Sequence, residues 1–321
     1  MPRTRQDVGQ YLKSWQPAQP SKTYFTDFAG GGVLWVGSSY KWHIFTSSGF
    51  WVAPVTNADV IVVAGGGGAG RGYGGGGGAG GVRNLIASTF TVGASYTVTV
   101  GAAGTSVAAT SGQTAGGNSS IVTLSGTVSA TGGGRGASTA AAATNGGSGG
   151  GAGSVYSTVG TGNAGGYTPA EGFAGGASRN NYLGGGGGGG GQSQAGGPSN
   201  IEWMGGADYR NTSGIGGLGL GLPDDCSNAP IFDNLRVTAW GSIYVSSVQL
   251  PNLFVATGGC GGSYAGCHTR YTQTGGGFSS SISGAYNDGS TSARSYGCGG
   301  ASTDARPSEA TGGIVIVRYA L

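Results

Sequence analysis

The sequence predicts an all-β protein: a β-sandwich, jelly-roll-like core, interrupted by a packed bundle of polyglycine II helices and preceded by a short N-terminal α-helix. Three observations predict it. Short runs of β-branched and aromatic residues bounded by Gly and Asn recur along the chain, the usual signal of antiparallel strands. Glycine accounts for 76 of the 321 residues, gathered into runs such as Gly65 to Gly68, Gly74 to Gly78 and Gly184 to Gly191. The chain also ends in an apolar run, Ile314 to Tyr319, that predicts a last strand returning to the N-terminal sheet.

Glycine gives up more backbone freedom on folding than any other residue, roughly 0.5 to 1 kcal/mol each, so ordering these runs costs on the order of 40 to 80 kcal/mol beyond an ordinary sequence. Either the runs are flexible linkers, or their bare backbones approach closely and bond one another. Disordered Gly-rich tracts are usually charged and poor in aromatics, whereas here charge is 8% and aromatics are 9%. The ordered alternative is polyglycine II, with three residues per turn, about 3.1 Å rise and no hydrogen bonds within a helix. Every N–H and C=O must then find a neighbouring chain. The run from Gly184 to Gly191 would span about 25 Å at that rise.

The first element is the helix. Thr4 and Asp7 fit a capping pattern, Val8, Tyr11, Leu12 and Trp15 fall at i, i+3, i+4 and i+7, and Pro17 and Pro20 end it. Residues 1–22 read as a unit of helix and linker. It serves as a docking peg into a partner or a symmetric assembly, or it folds back on its own domain. Residues 23–321 form the glycine-rich domain. Its strands are expected at Val33 to Val36, Trp42 to Phe45, Phe50 to Ala53, Asp59 to Ala64, Val82 to Ile86, Tyr96 to Val100 and Ile121 to Leu124. Further strands are expected at Leu235 to Ala239, Ile243 to Val248 and Ile314 to Tyr319. Trp35, Trp42 and Trp51 crowd the first of these strands and point to a compact core there. From Gly65 to about Gly197 the chain is low in complexity without a fixed period, which argues against a regular solenoid.

From Ile201 to about Gly300 side-chain chemistry returns. Trp203, Tyr209, Arg210, Asp224, Asp225, Trp240, Tyr244, Tyr264, His268 and Tyr271 are set among Gly, Ser, Thr and Asn. Aromatic anchors with adaptable polar neighbours are the chemistry of recognition loops. The alternative is that the rings only cover the glycine bundle.

Several function classes are excluded or disfavoured. Net charge is +3, the lysines Lys13, Lys22 and Lys41 lie near the start, and the remaining basic residues are scattered arginines, so no basic groove suits nucleic acid. The opening residues lack the apolar stretch of a secretory signal and no run long enough to span a bilayer occurs, so membrane insertion is not expected. Val60 to Gly74 runs a strand into glycines, yet the ribose-binding acid of a dinucleotide site is absent and no Gly-Lys-Ser or Gly-Lys-Thr makes a P-loop. Between Asp59 and Glu202 the sole carboxylate is Glu171, which leaves paired acids for glycan hydrolysis only to the last third. Asp224 and Asp225 are neighbours there and suit a solvated turn. His43 reads as a packed strand residue. Cys226, Cys260, Cys267 and Cys298, with His268 beside Cys267, are left as buried or free thiols, a disulfide or a zinc site without the close C-x-x-C pairs that usually mark one. No enzyme activity and no cofactor are expected.

With these residues on the page, the chain resembles the glycine-rich domains of bacteriophage tail fibres and tail-tip adhesins. The resemblance rests on VIVVAGGGGAGRGYGGGGGAGGV, on YTVTVGAAG, on the later polyglycine runs and on the terminal GGIVIVRY. It implies a virion protein, assembled in the host cytoplasm, whose loops recognise a bacterial surface polysaccharide or outer-membrane protein. It further implies other tail or virion proteins as partners, with Val8, Tyr11, Leu12 and Trp15 as attachment residues and a homotrimer or a monomer on a separate shaft as the assembly. The alternatives are a structural virion component without a receptor, such as a capsid decoration or tail connector, and an ice-binding polyglycine bundle.

Overall fold

The computed structural model describes residues 25–26, 32–36, 40–71, 73–107, 111–155, 158–178, 185–203, 209–212, 216, 244–245, 248–249, 256, 258–259, 296–302 and 309–321. The described elements are all strands: β1 (Phe25–Thr26), β2 (Gly32–Val36), β3 (Tyr40–Phe45), β4 (Gly49–Val52), β5 (Asn57–Val63), β6 (Val82–Thr89), β7 (Ser95–Thr99), β8 (Ser119–Thr123), β9 (Gly126–Ala130), β10 (Asn200–Trp203), β11 (Tyr209–Thr212), β12 (Tyr244–Val245), β13 (Val248–Gln249) and β14 (Ile314–Ala320). No helix among the described residues is long and apolar enough to cross a membrane. The expected helix, with Val8, Tyr11, Leu12 and Trp15, and the expected strand Leu235 to Ala239 lie outside the described residues.

The strands form two main antiparallel sheets, a six-stranded one in the order β1-β2-β3-β14-β5-β6 and a four-stranded one in the order β4-β7-β8-β9. β14 enters between β3 and β5, with Val317 opposite His43 on one side and Val60 on the other. Its run IVIVRY is apolar on both faces except at Arg318 because a central strand is buried on both, and all six of these residues are buried. β7 is a surface strand by contrast, and its SYTVT alternates exposed and buried along its length, as the two-residue period requires.

The two sheets share one hydrophobic cluster. Val60, Val62, Val315 and Val317 come to it from the larger sheet, and Trp51, Val98 and Ile121 from the smaller. Trp51 meets Phe90 edge to face at 4.6 Å between centroids, and Phe90 meets Tyr96 in the same way at 4.9 Å, the geometry that ring quadrupoles prefer. The Tyr96 hydroxyl is not stranded by this burial. It accepts the Thr91 N–H at 2.6 Å.

Beyond the sheets the glycine segments bond one another with a period of three. The N–H groups of Gly75, Gly78 and Gly81 donate to the carbonyls of Ala137, Gly134 and Thr131, those of Gly76 and Ala79 to Gly187 and Gly190, and those of Gly77 and Gly80 to Gly300 and Gly297. All seven bonds are 2.8 to 3.0 Å long. One stretch of backbone thus touches three neighbours in rotation and returns to each at every third residue. The neighbours behave alike: Ser148 and Gly151 donate to Ala79 and Gly76, Gly149 and Ala152 to Phe173 and Gly176, and Gly187 and Gly190 to Ala152 and Gly149. At many of the glycines such proximity leaves no room for a side chain, since a Cβ built on Gly75 would fall inside the carbonyl of Gly151.

Candidate functional site

The region carrying the candidate recognition residues is rooted in this glycine lattice. Ser199 donates its N–H to Ala177 (3.0 Å), Gly259 to Gly77 (2.9 Å) and Gly300 to Gly67 (3.0 Å), while Ala256 accepts the N–H of Gln192 (3.1 Å). These bonds tie the described residues on either side of the candidate segments into the lattice. Between Ser199 and Gly216 stands a hairpin, β10 with β11, in which Trp203 is opposite Tyr209, Glu202 opposite Arg210 and Asn200 opposite Thr212. Trp203 and Tyr209 thus share one register row at the hairpin's end, and Arg210 shares the next with a carboxylate residue. Tyr244 pairs with Gln249 in a second small ladder, β12 with β13. Asp224, Asp225, Trp240, Tyr264, His268 and Tyr271 lie outside the described residues.

The glycines after β5 have no amides left for a phosphate. Those of Gly65, Gly66, Gly67 and Gly68 donate to Gly117, Thr311, Gly78 and Thr114, and the chain continues into lattice instead of a helix, so the strand-then-glycine pattern serves packing. His43 is buried between Trp51 and Tyr319, stacked on the tyrosine at 5.8 Å and sharing a 3.2 Å hydrogen bond with its hydroxyl. Cys298 is buried with its thiol 3.9 Å from the Tyr296 carbonyl. Cys226, Cys260 and Cys267 lie outside the described residues, among which no three His, Cys, Asp or Glu side chains gather closely enough to hold a metal ion. Partial burial raises the Tyr296 phenol above its ordinary pKa, for less solvent is left to stabilise its anion.

Two polar centres that the sequence reading missed organise the scaffold. Glu171 is fully buried. Its Oε2 accepts the Thr131 N–H at 2.8 Å, its Oε1 accepts the Gly165 N–H at 3.0 Å, and its carbonyl accepts the Val82 N–H at 3.0 Å. Asn163 holds the same loop closed, its Oδ1 accepting the Tyr167 N–H at 3.1 Å while Nδ2 donates to the Tyr167 carbonyl at 3.0 Å. The Arg83 guanidinium lies 3.7 Å from the centroid of the Tyr167 ring, a cation–π contact. The one signal in the sequence was isolation, a lone carboxylate in a long neutral stretch. The second centre joins Asp59 to Arg318.

No curated protein sequence matches the chain. The model of the glycine-rich domain family matches residues 46–320, from the turn after β3 to the end of β14, which takes in most of the sheets' shared core and the described glycine lattice. The chain belongs to the glycine-rich domain family.

Proposed function

We propose that the protein is a bacteriophage virion component, a tail fibre or tail-tip adhesin, that recognises a bacterial surface polysaccharide or outer-membrane protein. In this reading the glycine segments are polyglycine II helices inserted into a jelly-roll-like sandwich, and the segments between residues 201 and 300 are its receptor loops. The observation that carries it is the return of backbone bonding to the same neighbour at every third residue, which is the repeat of a threefold helix without internal hydrogen bonds. A body held by backbone bonds in three directions is stiff and nearly uncharged, and the described anchors at Ser199, Ala256, Gly259 and Gly300 present long side-chain-rich segments from it. Tyr209 and Trp203, side by side in register, supply the aromatic pair that recognition surfaces favour. The protein needs no cofactor for this and performs no chemistry. Residues 1–22 join it to other virion proteins or to two further copies, in a particle assembled in the host cytoplasm.

Purified full-length protein is expected to bind cells of a susceptible bacterium, and a variant combining Tyr209→Ala, Arg210→Ala and Trp240→Ala is expected to bind none while melting at the same temperature. A folded protein that binds no member of a broad bacterial panel points to the second reading, a purely structural capsid decoration or tail connector. Light scattering on the full chain and on one lacking residues 1–22 separates trimer from monomer.

A further inference from the structure

The outer face of the four-stranded sheet is open to solvent and carries no charged residue. Phe50 on β4 lies opposite Thr97 on β7, and Val122 on β8 lies opposite Thr127 on β9. Val98 and Ile121, directly opposite each other, point the other way into the core, so Thr97 and Val122 are neighbours on the outside. Phe50 is 51% exposed and Val122 37%. At ordinary strand spacings the face measures about 300 Å², well short of the roughly 800 Å² per partner that a stable protein–protein interface buries. Apart from Phe50 the face is made of small hydroxyl and β-branched side chains, without the cluster of large anchors a protein partner would use.

We propose that this face binds a neutral polysaccharide. A sugar ring offers an apolar C–H face and a rim of hydroxyls. Phe50 supplies a flat apolar ring for the first, and the Thr97, Thr99 and Thr127 hydroxyls, each exposed, supply donors and acceptors for the second. The absence of charge across the face matches an uncharged ligand, since an anionic chain would find no cation there. The face is built from residues other than those between 201 and 300, and the proposal stands whether or not those bind a receptor.

The test is affinity electrophoresis of the full-length protein through native gels containing dextran, galactomannan or xyloglucan, with anionic alginate as the charged control. Retardation is expected in at least one neutral gel and not in alginate. A Phe50→Ala/Thr97→Ala variant should lose about tenfold in affinity, near the worth of one stacked ring, while the triple variant at Tyr209, Arg210 and Trp240 keeps the retardation. Thermal melting of the exposed-face variant at the wild-type temperature shows that its fold is intact, and a Thr97→Lys variant gives a second, fold-neutral way to block the face. Free passage of the wild type through all three neutral gels overturns the proposal, as does equal retardation of both face variants. So does a wild type that is dimeric by light scattering and becomes monomeric in the variants, for a second copy would then cover the face.

Discussion

Arg318 on the last strand reaches Asp59 on β5, its Nη2 2.7 Å and its Nε 3.2 Å from the same carboxylate oxygen, Oδ2. The guanidinium also lies over Tyr40 at 4.5 Å and Trp42 at 5.1 Å, so the cation is paired in one direction and covered by rings in another. Asp59 uses its second oxygen for the chain, with Oδ1 accepting the Ala87 N–H at 3.0 Å. That bond holds an irregularity: the β5–β6 register shifts between Ala58 and Val60, and Ala87 sits at a φ of 54°, where an L-residue is strained by about 1 to 2 kcal/mol. One carboxylate thus fixes a bulge and seats the strand that joins the chain's end to its beginning.

Removing Asp59 should therefore cost more than a surface ion pair. The Arg318 side chain is 4% exposed and that of Asp59 18%, and breaking a buried pair from one side destabilises by about 3 to 5 kcal/mol because the remaining charge is stranded. Asp59→Ala is expected at the lower end of that range, since Asp59 keeps some solvent. Asp59→Asn should fall between it and wild type, as its amide oxygen still accepts the Ala87 N–H. Urea titrations of the three proteins check the order, and equal midpoints would show that the bulge and the pair contribute nothing.

The glycine lattice predicts opposite signs for two alanine substitutions. At Gly75 a Cβ collides with the Gly151 carbonyl, which is backbone and cannot rotate away. Gly75→Ala should lower stability by about 3 kcal/mol or more, at the upper end of the usual overpacking range. At Gly312 the nearest atom to a new Cβ is the Gly101 carbonyl oxygen, an ordinary contact at 3.5 Å. Gly312→Ala should be neutral or stabilising by up to about 1 kcal/mol, through the reduced freedom of the unfolded chain. Thermal melts of both proteins decide it, and a tolerated Gly75→Ala would mean the lattice yields easily.

How far these features could be read beforehand depends on which part of the residue carries them. The terminal strand was legible because Ile314 to Val317 is an unbroken apolar run, and β5 and β7 because their apolar pattern is strong. β9, Gly126–Ala130, was not: its sequence GTVSA offers one large apolar residue, and its pairing is set by the tight turn at Leu124 and Ser125. β10 and β11 were missed for a similar reason, their residues NIEW and YRNT being mostly polar. The closeness of the glycine chains followed from composition and entropy. A repeat of three residues was expected with it, but which chains pair could not be read, because the bonds lie in backbone amides that Gly, Ala, Ser and Thr present alike. Glu171 and Arg318 act through partners distant in sequence, Thr131 and Asp59, which spacing does not reveal.

Glu171 gives a prediction about polar burial. Glu171→Ala leaves the Thr131 and Gly165 amides without their acceptor, at about 1 to 3 kcal/mol for each buried donor left unsatisfied. Glu171→Gln keeps one acceptor oxygen but turns an NH2 group toward the other amide, so it should recover only part of the loss. Hydrogen exchange localises the effect: the Thr131 and Gly165 amides should exchange faster in Glu171→Ala while those of the sheet core, such as Val317, keep their protection. Uniform loss of protection would mean that the clamp and the core unfold as one unit.

Tyr296 supplies the pH dependence. Its phenol is held above the ordinary value of 10.0 by burial, so between that value and its raised one the native state keeps a proton that the unfolded chain has released. Stability then falls as pH rises, because the unfolded state binds fewer protons. The contribution is intact below about pH 10 and is lost progressively above it. Because the Tyr296 carbonyl accepts the Ala256 N–H at 2.9 Å, the loss should appear first where residue 256 and its neighbours meet the lattice. Melting temperatures measured from about pH 8 to 11 should be level and then decline, and Tyr296→Phe, which cannot ionise, should flatten the decline while leaving the neutral-pH value nearly unchanged. A decline of the same steepness in Tyr296→Phe would assign the alkaline sensitivity to other tyrosines, and would mean that the Tyr296 ring is not what sets it.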